Sequence, residues 1–218
     1  MRLSNYLTES TIDPSIVKDI WSKLTKDCMP FLKELKKSNS PRDKFLYRGF
    51  HGGMYSEIQR KKVRADRKPA DTPENVSKYV DKEFKKKFGW NVRSEGAFAT
   101  SSKERASGYG TSFIFFPIGQ YKYAWSENVT DMYSHLGGRF LSYTEDILSG
   151  KADENDPEKD LVINDFKDTV SKAVNSFQTN NMRDAMIAQS EIIFKCKEYL
   201  AVKTVYALPL YELMEKEI

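Results

Sequence analysis

Glu191-Ile192-Ile193-Phe194-Lys195, then after a short polar break Tyr199-Leu200-Ala201-Val202, is the stretch whose reading decides the fold. Both pieces are rich in β-branched and aromatic residues, so they read as two strands joined by a polar turn. Upstream, Met182 to Gln189 is helix-friendly in composition, which leaves Glu191 either an exposed helix residue or the entry to the first strand. The carboxylate at the head of this β-rich pair is the first candidate for chemistry.

Moving outward, Ala97-Phe98-Ala99-Thr100 and Ser112-Phe113-Ile114-Phe115-Phe116 have the same strand-like content. Lys44 to Arg48 reads as a strand running into a Gly49 turn, and Tyr121 to Trp125 continues the set. Helical patterns lie elsewhere. Asp13-Pro14 supplies a capping carboxylate and a first-turn proline, and Val17, Ile20, Trp21, Leu24, Cys28, Phe31, Leu32 and Leu35 follow at helical spacing. Pro30 is expected to kink or split that element. Thr72-Pro73-Glu74 opens a further helix that Gly89 stops, and helical patterns recur over 130–148 and 157–177. The polar, basic stretch 52–70 reads as loop or a short helix. Helices first and strands in the middle and at the end give an α+β class.

A chain of 218 residues suits one domain, or one catalytic domain with a helical attachment, and buries enough apolar surface to need no disulfide or structural metal. Hydrophobic content of 39 % excludes a disordered chain. Two cysteines, Cys28 and Cys196, match no metal spacing and read as reduced thiols. No run approaches the ~18 apolar residues of a membrane span, so no membrane partner is expected. The net charge of +4 is uneven: residues 59–68 and 82–87 are basic, and 153–160 are acidic. The basic runs suit either a solvated face or a nucleic-acid surface.

Three groups stand out beside these strands. Arg48 ends the apolar run Phe45-Leu46-Tyr47, and its planar donor fork matches a phosphate bidentately. Gly49 beside it lets backbone approach a ligand closely. Thr100, Ser101 and Ser102 cluster hydroxyls at a strand end, and Gln189 and Glu191, two apart, would share one face of a strand. His51 and His135 sit in no zinc or triad pattern and read as structural. No glycine-rich phosphate loop is present, which disfavours Rossmann and P-loop enzymes.

Arg48-Gly49, Phe98-Ala99-Thr100-Ser101-Ser102 and Gln189-Ser190-Glu191, in that order and each beside β-rich sequence, resemble the Arg/Ser-Thr-Ser/Glu signature of mono-ADP-ribosyltransferases, bacteriophage enzymes in particular. The resemblance spans roughly 44–210. It implies a core of two packed, mainly antiparallel sheets over 44–218, preceded by an N-terminal helical segment, 1–43, and flanked by helices. It also implies NAD as co-substrate, transfer of ADP-ribose to a host protein or nucleic acid in the host cytoplasm, and a monomer.

By the same resemblance Arg48 grips NAD, Thr100, Ser101 and Ser102 set the ribose, and Tyr109, in the turn Ser107-Gly108-Tyr109-Gly110, packs on nicotinamide. Glu191 stabilises the oxocarbenium ion, with its rise in charge at the ribose as in glycoside cleavage. Gln189 addresses the acceptor, and a Q-x-E ending goes with asparagine, glutamine, cysteine or guanine rather than arginine. The hydroxyl register is open between Ala99-Thr100-Ser101 and Thr100-Ser101-Ser102. Met1 to Ser10 resembles capsid-targeting segments of large tailed phages, cut after Leu-x-Glu, here after Glu9, which implies packaging in the virion. The rival reading is a non-catalytic phage protein that binds nucleic acid or inhibits a host factor through its basic runs.

Overall fold

The computed structural model describes residues 12–38, 40, 44–53, 56–64, 72–137 and 141–218. The Met1–Ser10 segment and its expected cleavage point after Glu9 lie outside them.

The Asp13 carboxylate accepts a 2.8 Å bond from the Ser15 amide and starts α1 (Pro14–Asp27). The chain breaks at Cys28 and resumes as α2 (Met29–Ser38), with Pro30 in the new first turn, where its missing N–H is no loss. The apolar stripe read from the sequence is the buried face of both helices: Val17, Ile20, Trp21, Leu24, Phe31, Leu32 and Leu35. The next helix, α3 (Glu74–Phe88), stops at Gly89, whose φ of 78° favours glycine.

Distant carboxylates and one lysine complete three further helix ends. Glu145 of α7 (Leu141–Leu148) accepts from the amides of Asn75 and Val76 at the head of α3. Buried Asp81 of α3 accepts from Arg93 and Ser94 at the head of α4 (Val92–Glu95). Lys87 donates to the carbonyls of Val174, Asn175 and Phe177 at the end of α8 (Lys159–Ser176), which spends all three of its donors. Burial at this position holds its pKa below the usual lysine value.

The seven strands of the described residues form two antiparallel sheets. One has the order β1 (Tyr47–Phe50), β4 (Thr111–Pro117), β7 (Glu198–Lys203), β2 (Ile58–Lys62). The other has the order β3 (Ala97–Ala99), β6 (Ile192–Lys195), β5 (Lys122–Trp125). The chain therefore crosses from one sheet to the other at the Cys196-Lys197 turn. Among the described residues a single pair of backbone bonds also links the sheets: Tyr47 donates to the Thr100 carbonyl at 2.7 Å and Thr100 donates back at 2.9 Å.

The three-stranded sheet divides two apolar cores, and the period-2 alternation of its strands sends successive side chains into each. Ile192 and Phe194 of β6 enter a core shared with α1, α2 and the four-stranded sheet, whereas Ile193 enters one shared with α3, α4 and α8. In β5 Tyr123 and Trp125 go one way and Ala124 the other. Phe31 of α2 meets Phe116 and Phe194 edge-on, with centroids 6.3 and 5.7 Å away, so the N-terminal helices share a core with both sheets.

Four boundaries differ from the sequence reading. The first strand starts at Tyr47, not Lys44, and Arg48 lies inside it. The basic stretch expected as loop or short helix contains β2, an edge strand whose Arg60 pairs with Asp27 and Glu198 at 3.2 and 3.7 Å. Charge on an edge strand opposes pairing with other chains, a role that needs no nucleic acid. The helical pattern over 130–148 is two helices, α6 (Met132–His135) and α7. After β7 come a 3₁₀ turn, Thr204–Tyr206, and the helix α10 (Ala207–Glu217), where the sequence reading continued in strand. Among the described residues no helix is long and apolar enough to cross a membrane.

Cys28 and Cys196 are both buried and unpaired, and burial pushes each thiol up to about 12. A raised folded-state pKa keeps both protonated at neutral pH, and only the thiolate is nucleophilic. The folded protein should therefore resist a thiol-specific disulfide reagent at pH 8, with both cysteines reacting once denaturant is added; fast reaction of the native protein would contradict the packing described.

Candidate active site

Arg48 projects from β1, where it pairs with Phe113. Nη1 donates to the Phe98 carbonyl at 2.7 Å, and the guanidinium carbon lies 5.6 Å from the centre of the Tyr199 ring. Its Nε is buried without a hydrogen-bond partner. The fork is thus held in place with one donor unspent. A Cβ built on Gly49 would lie 1.8 Å from the Ala106 carbonyl oxygen, so the bare backbone makes room for α5 (Lys103–Ser107) against β1.

The hydroxyl cluster is also spent within the protein. Thr100 Oγ1 donates to the Gln189 carbonyl at 3.1 Å, and Ser101 Oγ donates to the Met186 carbonyl at 2.5 Å. Both acceptors belong to the end of α9 (Met182–Ala188), so the two hydroxyls hold the turn that leads into Glu191. Ser102 caps α5, accepting from the Arg105 amide at 3.2 Å. Thr100 and Ser101 thus brace the turn, and Ser102 starts a helix.

Gln189 and Glu191 do not share a strand face. Gln189 is the C-cap of α9 in the left-handed region, with φ 54°, and β6 begins only at Ile192. Helical composition won the segment up to Ala188, and the strand took over after Ser190. The same turn keeps Glu191 off the helix. Gln189 presents its carbonyl to Thr100 Oγ1 and to Arg105 Nη1, the latter at 2.8 Å, and does not line the cleft. Glu191, half-buried, does line it.

Around that cleft the structure brings together Arg48, Gly49, Thr100, Tyr109 and Glu191, from both sheets and the α5–β4 turn. Ser101, Ser102 and Gln189 are not among the lining residues. Five lining residues were not among the candidates read from the sequence: Tyr47, Phe98, Ala99, Arg105 and Ala106. Arg105 lies three residues after Ser102, a spacing that puts the capping hydroxyl and the guanidinium on one short turn. That signal was legible. The cavity measures ≈ 80 Å³, against about 300–1,000 Å³ for drug-sized ligand sites. Tyr109, which lines it, is 54 % exposed. Partial burial, then the negative charges of Glu191 and Asp131, hold the Tyr109 hydroxyl above its usual pKa.

His51 and His135, expected to be structural, are both exposed. Among the described residues no group of three or more His, Cys, Asp or Glu is placed to hold a metal ion. No family model matches the chain, and no curated protein and no solved structure matches it.

Gly49→Ala should cost about 3 kcal/mol or prevent folding, because the obstacle is main chain and cannot rotate away. Ser101→Ala should cost about 1 kcal/mol and speed amide hydrogen exchange at Ser190 and Glu191. Denaturant titration reads the first effect and exchange mass spectrometry the second; a neutral Gly49→Ala would contradict the α5–β1 contact.

Proposed function

We propose that this protein is an NAD-dependent mono-ADP-ribosyltransferase built on a core of that type, a phage effector that modifies a host protein and releases nicotinamide. The observation that carries this reading is that Arg48, with an unspent buried donor, and Glu191, from the other sheet, line one cleft. A cation for a diphosphate and a carboxylate for a developing ribosyl cation are the two electrostatic needs of breaking a nicotinamide–ribose bond.

NAD supplies a glycosidic bond to a cationic leaving group. Arg48 binds its diphosphate, and Arg105, at the same rim, adds a second guanidinium. Glu191 stabilises positive charge at the ribose more in the transition state than before it, which is what lowers the barrier. It does so best if it does not move, and the bonds from Thr100 and Ser101 to the α9 carbonyls supply that rigidity. Gln189 acts through its main chain. Tyr109 covers the cleft and packs on nicotinamide.

Glu191→Gln should lower nicotinamide release from NAD by about 10²–10³-fold, with the denaturation midpoint unchanged. Arg48→Lys keeps the charge and loses the fork, so KM for NAD should rise about tenfold, the loss of about 1.5 kcal/mol of charge-assisted bonding. Release of nicotinamide, measured by chromatography, checks both. Near-wild-type turnover by Glu191→Gln would reject the assignment.

A further inference from the structure

Glu191 and Tyr109 form a wall with a hollow on each side. One is the cleft with Arg48; the other is lined by Thr130, Asp131, Ser134 and His135, together with Arg105, Tyr109 and Glu191. The second hollow is open to solvent: Thr130, Ser134 and His135 are exposed, and Asp131 is half-buried. Asp131 is already fixed, because its Oδ2 accepts from the Ser134 amide at 2.8 Å and caps α6. Its other oxygen, Oδ1, is left to accept elsewhere, since a carboxylate has about four lone-pair sites.

We propose that this hollow is the acceptor side of the site and seats a neutral O–H or N–H side chain of a target protein, with Asp131 taking its proton. The proposal rests on the ADP-ribosyl-transfer reading. Charge selects the class. Two carboxylates, Glu191 and Asp131, oppose a nucleic-acid backbone, and the Arg105 guanidinium offsets part of their pull on a cationic guanidinium or ammonium. A neutral polar group is repelled by none of the three.

The transfer step balances with the groups present. The ribose C1′–nicotinamide N bond breaks, and its electron pair leaves with neutral nicotinamide. The acceptor's lone pair forms the new bond to C1′, and the acceptor's proton passes to the Asp131 carboxylate. Without that base the same cation is captured by water, so the hollow sets the division between transfer and hydrolysis.

Asparagine caps a helix as well as aspartate and takes no proton, so Asp131→Asn separates base from cap. Ser134→Trp fills the hollow from an exposed position. Labelled NAD should be incubated with wild type and both variants in the presence of four probes: N-acetylserinamide, N-acetylasparaginamide, agmatine and a single-stranded oligonucleotide. The expected result is label in the serine or asparagine amide, with the ratio of acceptor-linked to hydrolysed ADP-ribose falling at least about tenfold in both variants. An unchanged ratio in either variant, label confined to agmatine or the oligonucleotide, or hydrolysis with no probe labelled would overturn the acceptor subsite and leave NAD cleavage standing. No nicotinamide release by the wild type would instead overturn the transferase reading itself.

Discussion

Two hydrogen bonds between Tyr47 and Thr100 hold the molecule's two sheets together at one point, and the candidate site is built on that junction. Arg48 follows Tyr47 directly, and its Nη1 reaches the carbonyl of Phe98, two residues before Thr100. Each sheet alone would carry one part of the chemistry, the guanidinium on one and the carboxylate turn on the other. The bridge makes them neighbours.

The second constraint is β6. Its residues are buried on both faces, with Ile192 and Phe194 in one core and Ile193 in the other. A one-residue slip would exchange those faces, so the register of β6 is strongly specified. Glu191 is the residue just before this strand, and its position inherits that precision. On its other side the α9 turn is tied down by Thr100 Oγ1 and Ser101 Oγ. A carboxylate between a locked strand and a braced turn is preorganised, the condition under which electrostatic stabilisation is most effective.

The wall between the two hollows follows from the same arrangement. Glu191 faces both, and Tyr109 and Arg105 come from the short α5 region that Gly49 allows to pack against β1. The glycine beside Arg48 thus meets a packing requirement and also lines the cleft itself. Arg105 joins the parts: its backbone amide is capped by Ser102, and its side chain bonds the Gln189 carbonyl.

From residue pattern alone the chain determined its α+β class, the buried stripe of α1 and α2, the stop at Gly89, and strands at β3, β4, β6 and β7, because local spacing and composition set which faces are apolar. It also contained Arg48, Thr100, Tyr109 and Glu191 as candidates, since their side-chain chemistry is legible without coordinates. Tertiary structure alone decided what the hydroxyls and the glycine do, because their partners, Met186, Gln189 and Ala106, lie far away along the chain. It also decided that Gln189 turns off the strand. A helix and a strand compete for residues 188–191, and only the burial of β6 in two cores sets where one yields to the other. The basic run of β2 was misread for the same reason: its pairing with β7 is long-range, and a charged edge strand has no apolar alternation to announce it.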